Sequence, residues 1–209
     1  MNASEVLNMI FKQLSVPPIG TNCYIFGDDA TKMGAIVDPG GDAAGILAAV
    51  RGLGLTVSAI FLTHGHYDHV GALPELRKAL PDVPVYLHPA EKAVRDGSLI
   101  PDPGPTVDYG DGSTVAVGGL TVEVIHAPGH TPGGVCLKVG DTLFTGDTLF
   151  RGSMGRTDFP GGSYDDIMDS LKRLAALPGD YKVCPGHEAL STLEAERKGN
   201  YYMREAVGQ

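Results

Sequence analysis

Three histidines and one aspartate lie within a few residues of one another, in the order His-x-His-x-Asp-His. They are His64, His66, Asp68 and His69, and they follow an apolar stretch, residues 57–62, that predicts a buried strand. Imidazole nitrogens and carboxylate oxygens are ligands that suit zinc, iron or manganese. A helix would turn residues two apart to different sides, whereas in extended chain His64 and His66 share a face. A turn after them would direct the next two ligands to a second point, so the spacing predicts two adjacent metal positions.

Three further candidate ligands occur in the same local setting later in the chain. His130, Asp147 and His187 each follow a strand-like segment, in a turn marked by Gly or Pro. Such turns allow side chains from separate strands to converge at one edge of a sheet. Seven ligands are enough for two ions if one carboxylate binds both of them. A water could then bridge the two ions as well.

The ordered motifs resemble those of the metallo-β-lactamase-fold hydrolases, from one end of the chain to the other. The resemblance implies one site with imidazole ligands only and one mixed site, with Asp147 bridging the two ions. The imidazole-only site would comprise His64, His66 and His130. The mixed site would comprise Asp68, His69 and His187. The expected cofactors are therefore two divalent ions, zinc or iron, with manganese as a further option.

Small differences in the motifs separate the subfamilies, and the chain is most similar to small bacterial glyoxalase II-like proteins. Zinc β-lactamases proper typically carry Asp-Arg where this chain has Asp68 and His69, and a Cys in place of Asp147. Flavodiiron proteins would have Glu at position 66. The segment Gly155-Arg156-Thr157-Asp158-Phe159 also resembles a segment of the iron-dependent persulfide dioxygenases.

The resemblance implies a hydrolytic reaction. Two divalent ions about 3.5–4 Å apart can share a water and lower its pKa to near 7. We expect the resulting hydroxide to attack an acyl carbon, with Asp68 as the catalytic residue that orients it and takes up its proton. A thiolate leaving group, with a pKa of about 8.5 in free cysteine, needs no dedicated general acid. A glyoxalase II-like hydrolysis of a thioester such as S-lactoylglutathione is therefore the predicted function.

Two residues near the motifs are candidates for substrate binding. Arg156 lies in a Gly-rich loop after Asp147 and would give an anionic substrate its counter-charge. Tyr67 is expected to line the mouth of the site. Full-length glyoxalase II enzymes usually hold glutathione with a helical C-terminal extension, but here only 22 residues follow His187. A glutathione pocket of the usual kind is therefore not expected.

Two alternatives to thioester hydrolysis remain open at this point. In a persulfide dioxygenase, one iron at His64, His66, His130 or a neighbouring subset would activate dioxygen. In a catalytically silent scaffold, the site would only bind metal and a protein partner, and a lost ligand would be expected; all seven are present here.

Three residues outside the motifs are interpreted separately. His88 and His126 are interpreted as ordinary structural histidines, although His126 lies close enough in sequence to His130 to support it. Asp38, at the end of a predicted strand, either orients a ligand imidazole by a hydrogen bond or serves as an ordinary turn residue.

Composition limits the class of protein. The chain has 209 residues and is 43% hydrophobic, which suits one domain spanning residues 1–209. A net charge of −9 disfavours nucleic acids and anionic membranes as partners, and no apolar run approaches the roughly 20 residues of a membrane span. The three widely spaced cysteines favour reduced thiols and a cytoplasmic protein. The sequence leaves the oligomeric state open.

The pattern of apolar residues predicts an α/β protein, a pseudo-duplicated four-layer αββα sandwich with helices outside two sheets. Strands are predicted over residues 6–14, 22–26, 34–37, 57–62, 83–87, 114–117, 120–125, 135–139, 143–145 and 181–184. Helices are predicted from an N-cap at Asp42 to residue 53, over 73–80, 89–96 and 193–204, and from a capping box that begins at Ser163. Residues 98–112 are predicted to form a surface loop. A weak internal repeat, Leu-Thr-Val at 55–57 and 120–122, fits two half-domains that meet at the metal site.

Overall fold

The computed structural model describes residues 8–94, 97 and 99–209, and two six-stranded sheets dominate it. The first sheet has the order β1 (Met9–Val16), β2 (Thr21–Asp28), β3 (Met33–Val37), β4 (Thr56–Phe61), β5 (Val85–Leu87) and β6 (Val107–Asp108). In chain order, the strands of the second sheet are β7 (Thr114–Val117), β8 (Leu120–His126), β9 (Val135–Val139), β10 (Thr142–Gly146), β13 (Lys182–Pro185) and β14 (Ser191–Thr192). A small hairpin pairs β11 (Leu149–Phe150) with β12 (Ser153–Met154).

In the described ranges, six α-helices accompany the sheets: α1 (Ala43–Gly52), α2 (Tyr67–Val70), α3 (Leu73–Ala79), α4 (Tyr164–Ala175), α5 (Leu193–Gly199) and α6 (Tyr201–Ala206). A 3₁₀ helix covers Pro89–Ala93. Asp42 caps α1 as predicted, since its carboxylate accepts a hydrogen bond from the Gly45 amide. Ser163 likewise caps α4 by accepting from the Asp166 amide. Among the described residues, no helix has both the length and the apolar content needed to cross a bilayer.

The alternation of side chains along the inner strands creates the layers. On β2, Cys23 and Ile25 face a cluster that contains Ile46 of α1, whereas Tyr24 and Phe26 face the opposite sheet. Fully burying a side chain of this size contributes about 1.5–3 kcal/mol. The same strand therefore supplies two separate cores, one against the helices and one between the sheets.

The second sheet repeats this arrangement. On β10, Leu143 points outward to a cluster that contains Leu171 of α4, and Phe144 points inward to the core between the sheets. The Phe144 ring lies 5.4 Å from the Phe26 ring of the first sheet, centroid to centroid. Three hydrophobic clusters thus separate four layers, which confirms the predicted αββα sandwich.

Backbone hydrogen bonds join the two sheets at one end. The Val135 amide donates to the Thr63 carbonyl at 2.9 Å, and the Asn22 amide donates to the Gly186 carbonyl at 2.7 Å. The Tyr24 hydroxyl donates to the Pro185 carbonyl at 2.7 Å. The loops that follow β4, β8, β10 and β13 therefore meet at this end of the sandwich.

Several predicted boundaries were wrong. Residues 67–70 form the short helix α2 where a turn was expected, and β6 lies inside the predicted surface loop. The hairpin of β11 and β12 was not predicted, because two-residue strands carry almost no periodicity. Cys184 was expected to end the last strand, but β14 follows it. Residues 6 and 7 of the predicted first strand, and residues 95 and 96 of a predicted helix, lie outside the described residues.

The predicted C-terminal helix is two helices in the structure. Asn200 has an extended backbone (φ −80°, ψ 118°) and caps α6 by accepting hydrogen bonds from the Tyr202 and Met203 amides. Its side-chain amide donates to the Phe150 and Ser153 carbonyls. These long-range contacts stabilise the break, which the helical spacing of residues 193–204 alone did not indicate.

Candidate metal centre

The structure brings all seven predicted ligands to the end of the sandwich where the sheets are joined. The loop after β4 positions two of them, α2 positions two, and single residues follow β8, β10 and β13. These side chains are His64, His66, Asp68, His69, His130, Asp147 and His187. All are buried except His187, whose side chain is 23% exposed.

The three imidazoles of the predicted imidazole-only site lie side by side. The candidate ligand atoms of His64, His66 and His130 lie within 4.8 Å of one another. Nε2 of His130 is 2.9 Å from Nδ1 of His66. The His64 ring packs edge-on against both partners, with centroid distances of 4.7 and 4.9 Å.

The predicted mixed site lies next to it. Oδ2 of Asp68 is 3.3 Å from Nε2 of His69 and 3.2 Å from Nε2 of His187. These distances place one carboxylate oxygen between two imidazole nitrogens, an arrangement that could hold one cation.

The Asp147 carboxylate lies between the two groups. Its Oδ1 is 3.4 Å from Nε2 of His69, and its Oδ2 is 3.4 Å from Nε2 of His130 and 3.5 Å from Nε2 of His187. One carboxylate therefore reaches imidazoles of both groups, as a bridging ligand must. The geometry agrees with the predicted partition of ligands, and coordination itself stays a prediction.

The cluster contains polar atoms that the protein does not satisfy. In the described part of the chain, seven buried side-chain N and O atoms have no hydrogen-bond partner, and four of them belong to this cluster. They are Nε2 of His64, His66 and His69, and Oδ1 of Asp147. Buried polar atoms without partners are rare in proteins and call for an explanation. Bound cations would satisfy these atoms, so the residues fit a metal centre.

The electrostatics of the two groups differ. Burial, together with neighbouring imidazoles, lowers the pKa of His64 well below its usual value and that of His66 to about 4. Both rings are therefore neutral at pH 7, the form that binds metal. Burial would lower the pKa of His187, but hydrogen bonds to Asp147 and Asp68 outweigh it and raise that pKa to about 9. The carboxylates thus create a negative potential that favours a positive charge at the mixed site.

Asp38 fixes the orientation of two of the imidazoles. Its Oδ2 accepts from Nδ1 of His69 at 3.0 Å and from the Thr63 hydroxyl at 2.7 Å, and its Oδ1 accepts from the Thr63 amide. The Thr63 hydroxyl oxygen is in turn 3.1 Å from Nδ1 of His64. Asp38 thereby directs Nε2 of both rings toward the cluster, so its contacts favour the orienting role over that of an ordinary turn residue.

The segment after Asp147 supports the third imidazole of the first group. Nδ1 of His130 donates to the Arg156 carbonyl at 2.7 Å, which leaves Nε2 free to face the cluster. A Cβ on Gly155 would lie 1.8 Å from the Asp147 carbonyl oxygen, so only glycine permits this close approach. The Phe159 ring packs edge-on against His66, 5.6 Å away.

Glu91, on the 3₁₀ helix, was not predicted as part of the site. It is 1% exposed, and its two carboxylate oxygens accept from the Gly65 and Gly133 amides, each at 2.8 Å. These glycines belong to the His64–His66 loop and the His130 loop, so one side chain joins both. The signal that the sequence offers for this contact is the glycine at each loop position. A Cβ on Gly133 would lie 2.7 Å from the Glu91 carboxylate.

We expect Glu91→Gln to lower the free energy of unfolding by about 1–3 kcal/mol, because a Gln amide group would face one of the two backbone N–H groups and leave it unsatisfied. Urea denaturation of variant and wild type measures the difference. Glu75→Gln, on the exposed side of α3, is the matched control. Equal denaturation midpoints for the Glu91 variant and the wild type would show that the carboxylate does not join the loops.

A cleft of about 760 Å³ opens above the cluster. The ligands His66, Asp68, His130, Asp147 and His187 form part of its lining. Tyr67 and Arg156 are among the lining residues, and Tyr67 is 36% exposed; their role in substrate binding stays a prediction. His88 and His126 stack on each other, 4.3 Å between centroids, and are not among the described residues that line the cleft.

Comparison with known proteins identifies the family. Residues 16–187, well over half of the chain, match the profile of the metallo-beta-lactamase superfamily. The chain belongs to this superfamily. The match contains all seven candidate ligands, from the β4 loop to His187.

Curated members of the superfamily include relatives over nearly the full chain. Probable metallo-hydrolase YqgX of Bacillus subtilis is 35% identical over 210 residues, which cover 93% of this chain and 98% of the relative. Hydroxyacylglutathione hydrolase GloC of Haemophilus influenzae is 34% identical over 199 residues, covering 87% and 92%.

Solved superfamily structures are also similar. The BLEG-1 B3 metallo-beta-lactamase has a TM-score of 0.84 and 35% identity, covering 93% of this chain and 99% of that one. TTHA1623, solved in a di-iron-bound form, has a TM-score of 0.78 and 37% identity, covering 91% and 99%. ETHE1 from Myxococcus xanthus has a TM-score of 0.78 and 29% identity, covering 95% and 90%. The fold and the metallo-hydrolase class are thus shared, while the names of these relatives differ.

Proposed function

We propose that this protein is a binuclear metal-dependent hydrolase of small anionic thioesters such as S-lactoylglutathione. The observation that carries the proposal is the arrangement of seven ligand side chains in two groups, with the Asp147 carboxylate between them, at the floor of an open cleft. A single ion would leave part of this ligand set unused. The name of the relative GloC supports the choice of a glutathione thioester.

Two divalent ions, zinc or iron with manganese as a further option, supply Lewis acidity and lower the pKa of a shared water to near 7 when bound. The imidazole-only group would hold one ion, and Asp68, His69 and His187 would hold the other. Contacts at Nδ1 with Thr63, Asp38 and the Arg156 carbonyl direct Nε2 of three of these rings toward the cluster, those of His64, His69 and His130 respectively.

Asp68 is the proposed catalytic residue. Its Oδ2 accepts a hydrogen bond from the Thr21 hydroxyl at 2.7 Å, and its carboxylate lines the cleft floor. Burial would raise the pKa of Asp68, but the adjacent imidazoles of His187 and His69 outweigh this and hold it well below the usual range. The carboxylate is therefore ionised at pH 7 and can orient an attacking water by accepting its hydrogen bond.

The substrate class follows from the leaving group and the charge of the cleft. A thiolate departs without protonation, because the pKa of a free cysteine thiol is only about 8.5. Arg151 and Arg156 are both among the lining residues, so a substrate anion would find a positive charge there.

A persulfide dioxygenase is the second candidate. It is favoured by the segment 155–159, which resembles one of the persulfide dioxygenases and whose Arg156 carbonyl and Phe159 ring contact His130 and His66. One iron held by His64, His66 and His130 or a neighbouring subset would suffice for that reaction.

The test is a set of parallel assays on protein loaded separately with zinc, iron and manganese, with metal content measured for each sample. We expect hydrolysis of S-lactoylglutathione with kcat/KM of at least about 10⁴ M⁻¹s⁻¹, the lower end of typical enzymes, and loss of activity with a chelator. Oxygen uptake with glutathione persulfide would favour the dioxygenase, and cleavage of a chromogenic cephalosporin would favour a lactamase like BLEG-1. Fully loaded protein that leaves every substrate intact would revive the silent scaffold.

A further inference from the structure

The two arginines of the cleft are in different electrostatic situations. Nε and Nη2 of Arg156 donate to the Asp158 carboxylate at 2.7 and 2.6 Å. Its guanidinium also lies over the Phe159 ring, 3.8 Å from the centroid. This bidentate pair neutralises the charge that the sequence had suggested for substrate binding.

Arg151 lines the same cleft and has no such partner. Its side chain is exposed, and within the described part of the chain it makes no hydrogen bond or ion pair. An unpaired guanidinium beside a binding cleft keeps its full charge and its five donors for a ligand.

The backbone that carries Arg151 is held firmly. Arg151 and Gly152 form the turn between β11 and β12, and the Gly152 amide donates to Oε2 of Glu196 at 2.7 Å. The Asn200 side chain donates to Oε2 of the same glutamate at 2.9 Å and to the Ser153 carbonyl at 2.9 Å. Glu196 is 3% exposed and Asn200 is fully buried. The C-terminal helices therefore position this hairpin.

The hairpin also contacts the metal centre. The Phe150 ring, one residue before Arg151, packs edge-on against His187 at 6.0 Å between centroids. Phe150 and Met154 both line the cleft and add apolar surface to it. A substrate that reacts at the centre can thus extend along this apolar wall to the guanidinium.

We propose that Arg151, and not Arg156, binds the anionic end of the substrate. The inference rests on the proposed function and adds a specificity-determining residue to it. The preferred substrates are thioesters with a carboxylate remote from the reacting carbonyl. The hairpin held by α5 and α6 presents this residue to the cleft.

Binding of a thioether tests the proposal without any hydrolysis. S-Hexylglutathione carries two carboxylates and cannot be cleaved, and its dimethyl ester lacks both charges. Calorimetry on metal-loaded protein gives the Kd of each compound for the wild type, Arg151→Gln, Arg156→Gln and the control Arg51→Gln. Arg51→Gln removes the same positive charge as the other two variants. It is a control because Arg51 lies on α1 and is not among the residues that line the cleft.

We expect Arg151→Gln to weaken S-hexylglutathione roughly 10–100-fold, the range for loss of one charge-assisted hydrogen bond. The preference for the acid over the ester should fall toward one in this variant, whereas Arg156→Gln should change it less and Arg51→Gln should not change it. The proposal is overturned if the wild type and Arg151→Gln bind S-hexylglutathione with equal Kd, or if the wild type does not prefer the acid to the ester. It is also overturned if Arg156→Gln loses more affinity than Arg151→Gln.

The binding data and the hydrolysis assay distinguish failure of the anion site from failure of the proposed function. Arg151-dependent binding in a protein that hydrolyses no thioester would refute thioester hydrolysis and retain the anion site. Thioester hydrolysis with binding that is indifferent to Arg151 would refute the anion site alone.

Discussion

Asp147→Ala is expected to lose bound metal and hydrolytic activity together. The carboxylate lies within 3.5 Å of imidazoles from both groups of ligands, so its removal affects both sites at once. Loss of a partner that only supports a ligand typically costs 10–100-fold in metal affinity or activity. We therefore expect a decrease beyond about 100-fold for a residue that would bridge the two ions.

Metal analysis after dialysis, together with kcat on the best thioester, measures both effects. Asp169→Ala removes a carboxylate from the exposed side of α4 and is the matched control. We expect His130→Ala to lose bound metal and turnover as well. An Asp147 variant that keeps two ions and full turnover would refute the assignment of the centre.

Asp38→Ala is expected to impair the centre without removing any ligand. Without the carboxylate, Nδ1 of His69 and both donors of Thr63 lose their acceptor. The His69 ring is then free to turn or to change tautomer, so we expect about 10–100-fold weaker metal binding at the mixed site. The free energy of unfolding should also fall by about 1–3 kcal/mol for each buried donor left unsatisfied.

A stepwise metal titration separates this positioning role from a general loss of structure. The imidazole-only site should retain more of its affinity than the mixed site, since Asp38 reaches His64 only through Thr63. Asp29→Ala, at a partly exposed position after β2 where the carboxylate pairs with Lys32, is the control. Two ions bound as tightly as in the wild type would show that Asp38 is an ordinary turn residue after all.

Much of the centre could be predicted from local sequence. His64 and His66 stand two apart after a buried strand, and strand periodicity alone puts them on one face. The four-layer fold follows from the same periodicity, because strands such as β2 carry apolar side chains on both faces and so need a partner layer on each side. His130, Asp147 and His187 were found because each follows a strand in a turn, a setting that Gly and Pro mark in the sequence.

The contacts that hold the ligands in place could not be predicted. Glu91 joins two loops whose glycines lie 26 and 42 residues from it, and Asn200 reaches back 47 residues to the Ser153 carbonyl. No local pattern specifies such pairs, since they form only when separate elements have packed. The pairing of Arg156 with Asp158 was equally hidden, because two residues of opposite charge at this spacing meet only in certain backbone conformations.

The sequence by itself determined which side chains could bind metal and which layers the strands would build, because both depend on spacing along a strand. Only the tertiary structure decided how the imidazoles are oriented and which arginine keeps a free charge. These properties arise from hydrogen bonds and ion pairs between residues far apart in the chain, and their geometry is set by the packing of the whole molecule.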